Sequence, residues 1–166
     1  MSMKSKLAMF LMVSFVFSLC GSSAAYAAPP ADACSLLTSA QVSAVLGVSV
    51  GPGERISPKS TAMCGWEVLG QKGLDRKRVV LNIYTQMGSA SPVERFNRAK
   101  TPIQGIPKEP VTGVGDDAIF ATTPGFGTGL IFRKGNAAFD LRIYGFPIDE
   151  IKAKEKTLAL DVLARL

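Results

Sequence analysis

The chain has 166 residues, 47% of them hydrophobic, with 19 basic and 13 acidic side chains, three cysteines and no histidine. The missing histidine removes Ser-His-Asp and Cys-His catalysis, histidine general bases and histidine-ligated zinc, and it removes the ordinary neutral-pH switch. No S-x-x-K motif offers a Ser-Lys pair in its place.

The first 27 residues read as a secretory signal peptide. Lys4 and Lys6 precede an apolar run, Leu7 to Phe17, and small residues lead to Ala25-Tyr26-Ala27, an A-x-A cleavage site. The apolar run is too short for a transmembrane helix, and no later stretch qualifies. Cleavage after Ala27 leaves 139 residues, enough for one domain with a sizeable core. The alternative is lipidation of Cys20, but the large Leu19 stands where lipoprotein signals use a small residue. The expected product is a periplasmic or secreted protein with no membrane span. Two of the basic residues leave with the signal and no acid does, so the mature excess is four positive charges. That is far from a nucleic-acid footprint, and export argues against such a partner.

Residues 28–33 form a Pro-containing leader, and 34–166 one α+β domain. The clearest local signal runs from Cys34 to Gly47. Thr38 is an N-cap, Gln41 its capping-box partner, Leu37 and Val42 the hydrophobic staple, and Gly47 the left-handed stop. Residues 48–61 are a Gly/Pro/Ser loop or a weak edge strand. Cys64 to Leu69 and Arg78 to Thr85 are strands joined by a polar turn, and they pair antiparallel. Ser91, Pro92 and Glu94 open a second capped helix with Val93 and Phe96 inward. Residues 101–115 carry three prolines among glycines and read as an irregular connector. Asp117–Thr122, Gly129–Lys134 and Ala138–Tyr144 form a meander with a tight turn at Lys134-Gly135-Asn136. Residues 148–165 are the last helix, with Ile151, Leu158, Val162 and Leu163 along one stripe. There is no internal repeat.

Cys34 and Cys64 are an even pair in an oxidising compartment and are expected to form a disulfide closing about 30 residues. A redox or thiolate-metal pair is the other reading, but the long spacing and the missing C-x-x-C oppose it. No metal site or cofactor is expected. Asp116 and Asp117 follow a Gly-rich turn and are the candidates for carboxylate chemistry, yet neighbours on a strand point to opposite faces. Gly125-Phe-Gly-Thr-Gly129 lacks the helix of a phosphate loop and reads as a hairpin loop with Phe126 at its tip. Lys72, Arg76, Lys77 and Arg78 form one basic cluster, and Arg95, Arg98 and Lys100 a second. Either could meet an anionic envelope component, or be ordinary solvated surface. Trp66, Tyr84, Tyr144 and Phe126 could contact a ligand on a sheet face, or simply pack.

The Cys34-Ser-Leu-Leu-Thr-Ser-Ala-Gln-Val-Ser-Ala-Val-Leu-Gly47 stretch, Cys64-Gly-Trp66 and Gly113-Val-Gly-Asp-Asp-Ala118 together resemble a broad group of short exported bacterial proteins of unknown function, many of them lipoproteins. The Lys134-Gly135 hairpin and the final helix fit the same pattern. The resemblance implies a cysteine-paired antiparallel sheet with flanking helices, similar to the PsbP-like sandwich. It carries over no catalytic residue. The expected function is a non-enzymatic binding or accessory module of the envelope. A small hydrolase or transferase using Asp116 and Asp117 is the alternative.

Overall fold

The computed structural model describes Pro30 and residues 32–71, 76–123 and 127–166. The signal peptide, Cys20, Lys72 and Phe126 lie outside the described residues.

The domain opens on a capped turn. Asp32 accepts from the Cys34 N–H at 2.9 Å and caps a 3₁₀ turn, Ala33–Ser35. Helix α1, Ser39–Leu46, follows with its full capping box. Thr38 Oγ1 accepts from the Gln41 N–H, and Gln41 Oε1 accepts from the Thr38 N–H. Leu37 and Val42 are both buried, as a staple requires, and Gly47 stops the helix at φ 73°. Strands β1 (Glu54–Arg55), β2 (Met63–Glu67) and β3 (Arg78–Ile83) come next. Helix α2, Pro92–Lys100, carries the second capping box, with Ser91 bonded to Glu94 in both directions.

Beyond α2 one expectation is corrected. The 101–115 connector holds a strand, β4 (Lys108–Pro110), paired to β5 (Asp117–Thr123). It is an edge strand ending in proline, and an edge is one of the few places in a sheet where a missing N–H is tolerated. Strands β6 (Gly127–Lys134) and β7 (Ala137–Tyr144) complete the meander across the Gly135-Asn136 turn, and helix α3 (Ile148–Leu163) ends the fold.

Among the described residues, seven strands form one antiparallel sheet in the order β1-β2-β3-β7-β6-β5-β4. Two meanders therefore meet at β3 and β7, which pair from Arg78↔Tyr144 to Ile83↔Phe139. The short β1 and the proline-ended β4 are the edges, which limits edge-to-edge association. Alternation gives each face its own residues. One face buries Trp66, Val79, Leu81, Phe132, Phe139 and Leu141 against α1 and α3. Phe132 and Phe139, opposite each other, stack at 5.0 Å between ring centroids. Each such side chain contributes about 1.5–3 kcal/mol by leaving water. The other face holds a smaller cluster in which Phe96 of α2 packs on Ile119, Ala121, Ile131 and Ala138.

The disulfide joins Cys34 to Cys64 and so ties the 3₁₀ turn before α1 to β2. It indicates an oxidising, non-cytoplasmic environment. The 51–53 segment crosses closely above it. A Cβ on Gly53 would lie 2.7 Å from Trp66 Nε1 and 3.0 Å from Cys64 Sγ, so only glycine fits there.

The apolar stripe of α3 contains one acid. Glu155 stands between Ile151 and Leu158 on the buried face and is wholly shielded from solvent. Its Oε1 accepts from the Ile143 N–H at 3.0 Å, while Oε2 has no partner among the described residues. That N–H is available because the β6–β7 ladder stops at Leu130↔Leu141. Burial pushes the carboxyl up to about 9, and the hydrogen bond from Ile143 only partly opposes it.

Two outcomes follow. Cys34→Ser should lower unfolding free energy by about 2–4 kcal/mol in denaturant titration, because the loop entropy of the unfolded chain returns. Glu155 is neutral in the fold and ionised in the unfolded chain between its ordinary 4.5 and about 9. Its contribution is thus complete at pH below 4.5 and declines as pH rises toward 9. Glu155→Gln keeps the acceptor for Ile143 without that proton dependence. It should raise stability by about 1–3 kcal/mol at pH 7, with the gain shrinking toward pH 4. A gain that does not change with pH would contradict this reading.

Candidate functional site

The site is the part of the sheet that no helix covers. On the α2 face, β3 contributes Arg78, Val80, Asn82 and Tyr84, and β7 contributes Ala138, Asp140, Arg142 and Tyr144. Phe96 covers the end near Ala138. The strip from Asp140 to Tyr144 and the flank toward β1 lie outside that cluster.

On this flank lies an open groove of about 520 Å³. The Gly51–Ile56 segment forms one wall, Gly65 and Val80 the floor, and Leu69, Gln71 and Arg78 the other wall. Its shape follows from sequence: Gly65 stands directly opposite Val80 and leaves the floor low. Ile56 and Leu69 are exposed apolar lips. The rim charges are partly matched, Arg76 with Glu67 at 2.9 Å and Arg55 with Asp32 at 2.6 Å. Asp32 is held below its usual range by the bond from Arg55.

Beside the groove, Arg142 donates through Nε to Asp140 Oδ1 at 3.0 Å and through Nη2 to Oδ2 at 3.2 Å. Burial pushes the Asp140 carboxyl up, and the charge of Arg142 opposes it. Gly129 of β6 makes room for this arginine. A Cβ there would stand 2.9 Å from Arg142 Cγ and 3.2 Å from Cζ. Two stacked cation–aromatic pairs flank the ion pair, Arg95 over Tyr84 at 4.5 Å and Arg78 over Tyr144 at 4.8 Å. Burial and the nearby Asp140 push the Tyr84 phenol up to about 12, so it stays a donor.

The sequence-predicted residues do not form one surface. Trp66 is 1% exposed and belongs to the core, on the opposite face from Tyr84 and Tyr144. The reason is register: Trp66 stands opposite Val79, while Tyr144 stands opposite Arg78. Arg76 and Lys77 precede β3, and Arg95 stacks on Tyr84 just past its end, so the two basic clusters are about 20 Å apart. Within the α2 cluster, Arg95 donates to the Thr85 carbonyl and Lys100 pairs with Asp117. Arg98 is exposed and has no ion pair among the described residues. Lys77 lies over the Phe146 ring at 4.6 Å.

Asp116 and Asp117 are both engaged. Asp116 accepts from the Gly135 N–H at 2.7 Å and pairs with Lys134 and Arg133. These bonds hold its carboxyl below the ordinary range, the Gly135 bond first. It clamps the β6–β7 turn. Among the described residues, no three His, Cys, Asp or Glu side chains gather as a metal site, and no helix is long and apolar enough to cross a membrane. Sequence reading missed Arg142, Asp140 and Glu155. Their positions were legible, on the wetter side of β7 and inside the α3 stripe, but their pairing depends on strand order. Comparison with family models, curated proteins and solved structures finds no match.

Proposed function

We propose that this chain is a non-catalytic binding module that works outside the cytoplasm and takes its ligand on the open half of the α2 face. The observation that carries this reading is the unequal cover of the sheet. Two helices bury one face, whereas α2 packs on the β5–β7 side of the other and leaves the groove beside β1–β3 open. The groove is mixed in character, with apolar lips and charged rims, as ligand sites commonly are. The disulfide and the resemblance to short exported proteins support the location. The carboxylates of the enzymatic alternative are each tied to a cation, and Asp116 has a turn to hold.

Gly65→Leu tests this by filling the groove floor. A Cβ at Gly65 would meet Ile56 Cγ1 at 3.5 Å, an ordinary contact, so the fold should survive. Native mass spectrometry of residues 28–166, incubated with a small-molecule extract of the source culture, should show a retained, chemically unchanged ligand. Gly65→Leu should lose it while its unfolding midpoint stays within a few degrees. Equal retention by Gly65→Leu would move the site elsewhere. Conversion of the ligand, abolished by Asp117→Asn, would favour the enzyme.

A further inference from the structure

We propose that the groove beside β1–β3 takes a small elongated zwitterion, such as a free apolar dipeptide, with its ammonium at Glu54 and its carboxylate at Arg78. This rests on the binding-module reading and names the ligand chemistry. Both side chains line the groove of about 520 Å³, on opposite walls. Register sets their spacing. Glu54 stands opposite Gly65, and Arg78 stands opposite Glu67, two residues further along β2. Two strand spacings and two residues of rise put the two Cα atoms roughly 12 Å apart. Between them, Gly65 and Val80 form a low floor. Helix α2 packs on β6 and β7 and leaves this half of the face open.

The charges of the lining are balanced: Glu54 and Glu67 against Arg55 and Arg78. Arg55 is taken by Asp32, and Glu67 by Arg76. Glu54 and Arg78 remain, one of each sign, and neither makes an ion pair or a side-chain hydrogen bond among the described residues. A lining with no net charge gives a simple anion or cation no long-range advantage. Two uncommitted charges of opposite sign on facing walls suit a ligand that carries both. Arg78 also leans away from Glu67, since its guanidinium lies over the Tyr144 ring at 4.8 Å. Stacking fixes the plane of the guanidinium and leaves N–H groups at its edge, which matches a planar carboxylate. Glu54 is exposed on the edge strand, so it receives an ammonium without burying a charge. The exposed Ile56 and Leu69 take the apolar body. Ile56 Cγ1 would stand 3.5 Å from a Cβ on Gly65, and Leu69 Cδ2 3.5 Å from one on Gly51. An extended dipeptide is roughly 7 Å long, and a hydrogen bond of roughly 3 Å at each end spans the remaining distance.

Dileucine, N-acetyl-dileucine and dileucine amide separate the two ends. The acetylated form lacks the ammonium, and the amide lacks the carboxylate. In a titration of the protein purified after export, followed by the Gly65 amide resonance, dileucine should give a saturable shift. Each blocked form should bind at least about fivefold more weakly, the worth of one exposed charge pair. Glu54→Gln lies on an exposed edge strand and should fold normally. It should weaken dileucine about fivefold and leave N-acetyl-dileucine unchanged. Arg78→Gln should weaken dileucine and leave dileucine amide unchanged. That crossed pattern assigns each end of the ligand to one wall, which a general loss of structure would not do. A blocked form binding as tightly as dileucine would overturn the assignment. So would Glu54→Gln weakening both forms alike or neither, or the lack of a saturable dileucine response up to about 20 mM. If these tests fail while Gly65→Leu still loses the extract ligand, the binding-module reading stands and only the zwitterion assignment falls.

Discussion

The pairing of β3 with β7 is the constraint on which the rest of the molecule depends. Each belongs to a separate meander, and their six-residue ladder makes one sheet of two. Because the second meander begins at the far edge, with β4, the chain must cross the sheet after β3. Helix α2 is that crossing, and it packs on β6 and β7. One nine-residue helix cannot cover seven strands. The open half-face is therefore a consequence of strand order, and it would exist whatever side chains occupied it.

A second consequence comes from the place where β6 and β7 part. Their ladder ends at Leu130↔Leu141. Beyond it the Ile143 N–H has no strand to donate to, and Glu155 reaches from α3 to accept it. On the opposite side of the same break, Arg142 folds over Gly129 to meet Asp140. A buried acid below the sheet and a locked arginine above it thus share one cause. A buried backbone donor must find an acceptor, and a carboxyl on the adjacent helix supplies one at the cost of staying protonated. The half-covered face and the parted strands together place donors at the boundary between α2 and the groove.

Much of the fold was legible because its signals are local. Thr38 with Gln41 and Ser91 with Glu94 mark both helix starts, and the alternation through Val79–Tyr84 and Phe139–Tyr144 marks strands with a buried side. The Cys34–Cys64 link followed from counting thiols in an exported chain. What stayed hidden depends on partners distant in sequence. Pro110 disguised β4, since proline argues against a strand until its edge position is known. The separation of Trp66 from Tyr84 and Tyr144 is invisible without the register that sets Trp66 against Val79. Alternation puts Arg142 and Asp140 on the less apolar side of β7, but nothing local reveals that Gly129 clears the space for Arg142.

The most direct test is amide chemical-shift mapping on isotopically labelled protein containing the ligand retained from extract. Shifts should concentrate at Gly65, Leu69, Arg78 and Val80, and leave α1, the core face of β6 and the Asp116–Asp117 turn undisturbed. Shifts centred on α1 and α3, or on Asp116 and Asp117, would contradict the account and place function on a surface that the half-covered sheet does not explain.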